Sequence, residues 1–200
     1  MKCARSAVLL LLLSVPVFSS AAQRPIGPVS LGVSAGLSTP QGDTRGFFDR
    51  GAQFGALADV RTALPWLLVR VDGSWQSLGR GQQQIISVDD GEVAQADYRS
   101  GMISGAVSIG IRPPDLDWPV RPYMLAGLGS YWFRTAIDFP AFAGQPAIAE
   151  TRTGRTSGMH LGVGLEAPVS RMVFFVEGRV QRVGETPNNF VPLSVGLRLR

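Results

Sequence analysis

Apolar and polar residues alternate one by one in eight separate segments of the sequence, and this period of two constrains the fold more than any other feature. In segment 28–38, Val29, Leu31 and Val33 are apolar, and serine or glycine stands between them. Successive side chains of a strand point to opposite faces, so each segment predicts a β-strand with one apolar face and one small or polar face. The predicted strands are 28–38, 51–62, 66–77, 96–112, 120–133, 156–167, 172–183 and 190–200.

The connections between these strands alternate between long and short until the last one. They are 39–50, 63–65, 78–95, 113–119, 134–155, 168–171 and 184–189. Antiparallel strands joined in this way place the long loops at one end of the sheet and the short turns at the other, which is typical of transmembrane β-barrels. The predicted strands also satisfy the ~9–11 residues that a tilted strand needs to cross a bilayer.

Alternation alone does not separate a membrane barrel from a soluble one, but charge and residue size do. We expect the apolar face of all eight strands to be free of Lys, Arg, Asp and Glu, because a charge at the middle of a bilayer costs ~2–4 kcal/mol. The opposite face is rich in glycine, which suits the interior of an eight-stranded barrel, where little more than the side chains fits. The sequence therefore predicts an all-β, eight-stranded antiparallel up-and-down transmembrane β-barrel. The alternative is a soluble periplasmic barrel that binds a lipid-like ligand in an apolar interior.

The N-terminus has the features of a secretory signal peptide. Lys2 and Arg5 precede an apolar stretch from Ala7 to Val17, and small residues follow at 20–22. The stretch is shorter than the ~20 apolar residues of a membrane helix. We expect a signal peptide at 1–22 with cleavage before Gln23, and one outer-membrane β-barrel domain at 23–200. The only cysteine, Cys3, would leave with the leader, so we expect no disulfide.

The charge balance argues against nucleic acid as a partner. Of 19 basic and 15 acidic residues, Lys2 and Arg5 belong to the expected leader, which leaves 17 against 15 and a net charge of +2. A polyanion-binding domain carries a much larger positive excess.

Several short motifs occur in an order that resembles a known family. They are Arg121-Pro122-Tyr123, Gly127-Leu128-Gly129, Gly162-Val163-Gly164-Leu165-Glu166, Phe175-Val176-Glu177-Gly178-Arg179 and the closing segment 191–197. This order is similar to the outer-membrane β-barrel family that includes the OmpA membrane domain and the opacity-type proteins. The resemblance implies a barrel in the cell outer membrane without enzymatic activity. Family members commonly end in an aromatic residue, whereas this sequence ends Leu199-Arg200.

The polar face carries ten charged residues, and we expect them to form an ion network in the lumen. Buried charges must pair, because an unpaired one costs several kcal/mol. We expect Glu177 and Glu166 to pair with Arg70 and Arg179 and to plug the barrel; a narrow ion path is the alternative. The ten residues are Asp59, Arg61, Arg70, Asp72, Arg112, Arg121, Glu166, Glu177, Arg179 and Arg198.

Other polar groups suggest contacts with lipid but no catalysis. His160 and Ser157 are three residues apart, which points their side chains to opposite faces of a strand, so we expect no enzyme; a lipid A-modifying barrel is the alternative.

The acidic turn 89–92 lacks the spaced ligands of a calcium loop, so no metal or cofactor is expected. Guanidinium groups suit phosphate, so five arginines in long loops suggest contacts with lipopolysaccharide by a monomeric protein. The alternative is that these arginines only keep polar loops soluble. They are Arg45, Arg50, Arg80, Arg152 and Arg155.

Aromatic residues near the predicted strand ends suggest belts at the two membrane interfaces. Those near the long loops are Trp75, Tyr98, Tyr131 and Trp132, and those near the short turns are Trp66 and Trp118. Ordinary packing is the alternative for each of them.

Overall fold

The chain forms one closed barrel of antiparallel strands. A computed structural model describes residues 29–42, 45, 48–86, 93–113, 118–141, 146–184 and 188–199. Each strand pairs with the next, and β1 pairs with β8 to close the sheet. The strands are β1 (Val29–Gln41), β2 (Gly51–Arg61), β3 (Leu67–Ile86), β4 (Val93–Ile111), β5 (Arg121–Phe139), β6 (Ile148–Val169), β7 (Met172–Val183) and β8 (Asn188–Leu199). The predicted eight-stranded barrel is confirmed. No helix in the described residues is long and apolar enough to cross a membrane.

The two faces of the sheet are arranged as the alternation predicts. Apolar side chains such as Leu31, Val195 and Leu128 point outward and are exposed, whereas Ser108 and Ser30 point into the lumen and are buried. Leu57 breaks the alternation of β2, and it is buried inside the barrel. The outer wall is therefore apolar because the lumen takes the polar residues of nearly every strand.

The four central strands are much longer than the other four, and β3, β5 and β6 extend well beyond their predicted bounds. β3 to β6 contain 20, 19, 19 and 22 residues, against 11 to 13 in the other four strands. The predicted loops 78–95 and 134–155 are wrong for most of their length, because they continue β3, β4, β5 and β6 as a projecting sheet. The sequence of these extensions mixes polar and apolar residues without strict alternation, so it lacks the signal that marks the other strand segments.

A β-bulge marks the point where the barrel wall becomes this projecting sheet. The β3–β4 register shifts between Ser77 and Arg80, and Gly79 within the shift has a φ of +87°. A Cβ on Gly79 would lie 2.6 Å from the Cβ of Asp49, so both the backbone conformation and the space favour glycine. Beyond Gln76, towards the long loops, no residue of β3 pairs with β2. In the same way, the part of β6 from Ile148 to Ser157 does not pair with β7.

Two apolar clusters fill parts of the lumen, and glycines make room for their rings. The inner cluster, nearer the short turns, contains Leu57, Leu68, Tyr123, Leu125 and Phe175. The outer cluster contains Leu78, Met102, Tyr131, Val183 and Phe190, with Phe48 and Phe133 packed against it. The aromatic rings lie directly over glycine backbone: a Cβ on Gly164 would be 2.3 Å from the Tyr123 ring, and one on Gly196 would be 2.3 Å from the Phe175 ring.

Candidate functional site: the lumen and the outer rim

Arg70 is the centre of the charged lumen. Its side chain is fully buried, and it donates from Nε to Asp59 Oδ1 at 2.6 Å and from Nη1 to Glu177 Oε2 at 2.6 Å. Its guanidinium also lies over the rings of Tyr123 and Phe175, at 5.5 and 5.8 Å from their centroids. Two carboxylates and two rings thus replace the water that an exposed arginine would have.

Strands β3 and β7 are joined across the lumen by three side-chain contacts, which we name the cross-lumen ladder. Arg70 reaches Glu177 at 2.6 Å, Arg179 reaches Asp72 at 2.9 Å, and the Gln76 amide reaches Gln181 at 3.2 Å. These contacts rise in parallel along both strands, because each step of two residues returns a side chain to the lumen.

Two additional hydrogen bonds, one from Arg179 and one from Tyr123, reinforce the ladder at Glu177. Arg179 donates from Nε to Glu177 Oε1 at 2.5 Å, and the Tyr123 hydroxyl donates to Glu177 Oε2 at 2.7 Å. Glu177 thus accepts from three donors at once, which compensates for the loss of water around a buried carboxylate.

A second set of ion pairs lies nearer the short turns. Arg198 pairs with both Asp59 and Glu166, and so connects β8 to β2 and β6. Arg112 Nε lies 3.1 Å from Glu166 Oε1 as a looser ion pair. Asp59 is shared by Arg198 and Arg70, so the two sets form one continuous network.

The predicted pairing and the observed one differ in part. Glu177 contacts both Arg70 and Arg179 as expected, but Glu166 pairs with Arg112 and Arg198 instead. Arg61 and Arg121 form no ion pair with any described residue: Arg61 is exposed at the end of β2, and the Nε of Arg121 is buried without a partner. Tyr123 and the shared position of Asp59 were not foreseen, although both follow the inward parity of their strands.

His160 lies in the lumen beside Ser108, which was not among the candidate residues predicted from the sequence. His160 Nε2 is 2.8 Å from Ser108 Oγ, and both residues are buried. Ser157 is exposed on the outer face of β6, which confirms that it points away from His160. Nδ1 of His160 has no hydrogen-bond partner among the described residues, so no acidic group orients the ring as a catalytic base requires.

Little space is left among these groups. A cavity lined by Gln53, Asp72 and Arg179, among others, has a volume of about 10 Å³. One water molecule needs ~10–15 Å³, so this cavity is no wider than a single solvent site. The outer cluster, including the fully buried Phe190 and Tyr131, lies between the ladder and the long-loop end of the barrel.

Comparison with known proteins agrees with the fold. The family model for the outer membrane protein beta-barrel domain matches residues 6–190. The chain belongs to the outer membrane β-barrel family. The crystal structure of Neisserial surface protein A has 15% identity and a TM-score of 0.57, over 86% of this chain and 97% of that one. A major outer membrane protein of Thermus thermophilus has 15% identity and a TM-score of 0.55, over 87% and 100%. No curated protein sequence matches the chain significantly.

Placed in the outer membrane, the barrel exposes its apolar wall to lipid and encloses its ionic groups. The alternative of a soluble periplasmic barrel with an apolar interior is therefore wrong, because Arg70, Glu166 and Glu177 lie inside and the leucines and valines lie outside.

The aromatic residues expected at the membrane interfaces fall into an exposed group and a buried one. Trp75, Trp132, Trp66 and Trp118 are exposed, whereas Tyr131 is buried in the lumen and cannot form part of an interfacial belt.

The arginines expected to contact lipopolysaccharide lie in different surroundings on this outer membrane barrel. Arg45 donates to the Pro40 carbonyl and to Gln41, and Arg50 is exposed. Arg155 lies over Trp132, 5.2 Å from the ring centroid. Arg80 is opposite Arg99 in the β3–β4 register, and its side chain is outside the described part.

Arg152 belongs to an exposed pair on the projecting part of β6. It donates from Nε and Nη2 to Glu150 at 2.8 and 3.1 Å. These hydrogen bonds hold the pKa of Glu150 below its ordinary value.

Three arginines that were not predicted to face outward lie at the outer edge of the wall. Arg99, Arg134 and Arg182 are exposed on the same face as the lipid-facing residues. Arg99 and Arg182 lie in predicted strands, so the expectation of an uncharged apolar face is wrong at the outer ends of these two strands. Arg99 and Arg134 lie where β4 and β5 leave the membrane wall, which is why charge is tolerated there.

Some predictions lie outside the described residues. They are the leader 1–22, the acidic turn 89–92 and the terminal Arg200. Among the described residues, no group of three histidine, cysteine, aspartate or glutamate side chains could hold a metal ion.

Proposed function

We propose that this outer-membrane barrel is a closed, non-conducting structural protein that carries a surface for interaction outside the cell. The cross-lumen ladder is the observation that supports this proposal most strongly. It joins opposite walls by direct hydrogen bonds and ion pairs, so side chains cross the lumen. An eight-stranded barrel leaves little space beyond its own side chains.

The projecting sheet is the surface that we assign to interaction. β3 to β6 continue beyond the other strands and are held by regular pairing, for example Asp97 with Asp138 and Asp138 with Ala149. A paired sheet presents its residues in fixed positions, unlike a free loop. The expected partners are lipopolysaccharide and other surface molecules, with the barrel acting as a monomer.

Planar-bilayer recording of the full chain tests whether the barrel is closed. We expect the wild-type protein to give no open-channel steps above the bare membrane. Reproducible steps from folded wild-type protein would refute the plug.

A matched pair of variants tests whether the ladder is responsible. Glu177→Ala/Arg179→Ala removes two groups of the ladder, and Glu150→Ala/Arg152→Ala removes the same residue types at the same spacing from the exposed sheet. We expect steps from the first variant only. Silence from both would assign closure to the two apolar clusters instead.

We propose that the barrel is not an enzyme. The sole histidine is buried against Ser108, and Ser157 faces outward, so no nucleophile, base and acid share an accessible site among the described residues. Purified protein is expected to leave lipid A acylated, with His160→Ala as the control. Deacylation that is lost in His160→Ala would contradict this proposal.

We propose that the mature chain begins at Gln23. The intact mass of protein extracted from outer membranes is expected to correspond to residues 23–200. A mass that includes the apolar stretch from Ala7 to Val17 would show that the leader is retained.

A further inference from the structure

An outward-facing row of aromatic and charged side chains crosses four strands at the outer edge of the apolar wall. Trp75 of β3, Ile103 of β4, Trp132 of β5 and Arg155 of β6 are successive register partners. Trp75 is stacked on Phe54 at 6.0 Å, and Arg155 lies over the Trp132 ring at 5.2 Å. Exposed tryptophans on a lipid-facing wall mark the level of the membrane interface.

The next rows outward add two arginines beside Arg155. Arg134 follows Trp132 by two residues on the same face, and its register partners are Gly101 and Thr153. Arg99 follows one row further, opposite Ala136. Neighbouring strands are ~4.8 Å apart and two residues of strand span ~7 Å, so the three guanidinium groups can reach one small ligand group.

These rows border an open groove on the outside of the barrel, with a volume of about 860 Å³. Trp75, Ile103 and Trp132 form its apolar part, and Arg99, Arg134 and Arg155 form its charged part. Gly101 lies between them: a Cβ there would meet nothing closer than 3.6 Å, so the missing side chain leaves the groove open without a packing reason for glycine.

The groove carries three positive charges on one face. The ion pairs among described residues include none of Arg99, Arg134 and Arg155. Two carboxylates on this face, Asp97 and Asp138, are opposite each other in the row beyond Arg99, and Asp49 lies beside Gly79 at the edge of the groove. Along the strands the surface thus changes from apolar to cationic to anionic within a few residues.

We propose that this groove binds a phosphorylated glycolipid of the outer leaflet, with its phosphate on Arg99, Arg134 and Arg155 and its acyl chains along Trp75, Ile103 and Trp132. The guanidinium fork matches phosphate geometry, and the tryptophans place that phosphate at headgroup level. This inference rests on the lipopolysaccharide contact proposed above but assigns it to a different face. Five arginines were expected from the sequence to contact lipopolysaccharide. Among those whose side chains the structure describes, Arg155 is the one that lines this groove.

Binding of lipid A to the full chain folded in detergent micelles, followed by native mass spectrometry, tests the proposal. The probes are lipid A with two phosphates and the same lipid without phosphate. We expect the wild-type protein to retain the phosphorylated form preferentially. Arg134→Gln/Arg155→Gln is expected to weaken its binding by roughly tenfold or more, because each lost charged hydrogen bond is worth about that factor.

Two other variants separate charge from shape. Arg171→Gln/Arg182→Gln removes two exposed arginines elsewhere and is expected to bind as the wild type does. Gly101→Leu fills the groove while keeping every charge. We expect this variant to bind both the phosphorylated and the unphosphorylated lipid more weakly than the wild-type protein does. Heat-modifiable gel mobility verifies that each variant is folded.

Three results would overturn the site: no preference of wild-type protein for the phosphorylated lipid, equal loss in both arginine pairs, or full displacement of the lipid by inorganic phosphate. The last would show that only a free anion is recognised. Failure here is independent of the conductance result, because the groove is outside the barrel and the ladder is inside.

Discussion

Arg70, inside the barrel, and Arg134, outside it, carry the same guanidinium group in opposite surroundings. Arg70 is fully buried, bonded to Asp59 and Glu177 and enclosed by two aromatic rings. Arg134 is exposed and has no ion pair with a described residue. The lumen satisfies its charges internally and gains structure, whereas the outer surface leaves its charges available to a ligand. Which of the two occurs is decided by the face of the strand and by the distance from the membrane centre.

Removing one guanidinium from each region should give the largest difference. Arg70→Met leaves Asp59 and Glu177 short of a donor in the lumen, and breaking a buried ion pair costs ~3–5 kcal/mol of unfolding free energy. Arg134→Met removes no buried contact, and we expect a change within ~0.5 kcal/mol. Urea unfolding in lipid vesicles, followed by tryptophan fluorescence, measures both. Equal urea midpoints for the two variants would show that the buried network contributes no more to the free energy of unfolding than an exposed arginine does.

Packing gives a smaller contrast between the two faces. Gly164→Ala places a Cβ 2.3 Å from the Tyr123 ring in the lumen, and we expect a loss of ~1–3 kcal/mol from overpacking. Gly73→Ala is the control, because its Cβ would meet no atom closer than 3.6 Å. The same unfolding assay applies. A loss as large in Gly73→Ala would mean that strand propensity, not lumenal crowding, explains the effect.

The exposed Glu150–Arg152 pair should give the smallest effect. The hydrogen bonds of Arg152 depress the folded-state pKa of Glu150, so their contribution is present above the unfolded pKa and is lost as pH falls through the folded pKa. A carboxyl NMR titration is expected to place the Glu150 midpoint below its ordinary value, and Arg152→Gln should raise it. Arg134→Gln, which does not contact Glu150, should leave it unchanged. A midpoint insensitive to Arg152→Gln would contradict the pair.

The barrel could be predicted from the sequence because a lipid-facing wall and a packed lumen impose opposite chemistry on neighbouring residues. Val29 to Leu37 and Val191 to Leu199 show that contrast directly. The projecting sheet could not be predicted, because residues such as Thr151, Arg152 and Thr153 meet water on both faces and have no reason to alternate.

The charged lumen could be predicted only in part: the pairs of Glu177 were expected, whereas those of Glu166 were not, and Arg61 is exposed. Inward parity placed Arg70 and Glu177 on one face, but which strands lie opposite across the lumen depends on closure of the barrel. The choice of Arg112 and Arg198 by Glu166 follows from that geometry. The outer groove was missed for a similar reason, since Arg99, Arg134 and Arg155 are far apart in sequence and adjacent only through register.

Spin-label accessibility along β8 tests the arrangement of the two faces most directly. Cys3 is the only cysteine, so in a Cys3→Ser background single cysteines at Leu193, Ser194, Val195, Leu197 and Arg198 carry one label each. In lipid vesicles we expect labels at 193, 195 and 197 to be relaxed by oxygen, which concentrates in lipid, and labels at 194 and 198 to be shielded from both oxygen and a water-soluble nickel complex. Nickel access at 194 and 198, or loss of the alternation, would contradict a closed barrel with a lipid-facing wall and a filled lumen.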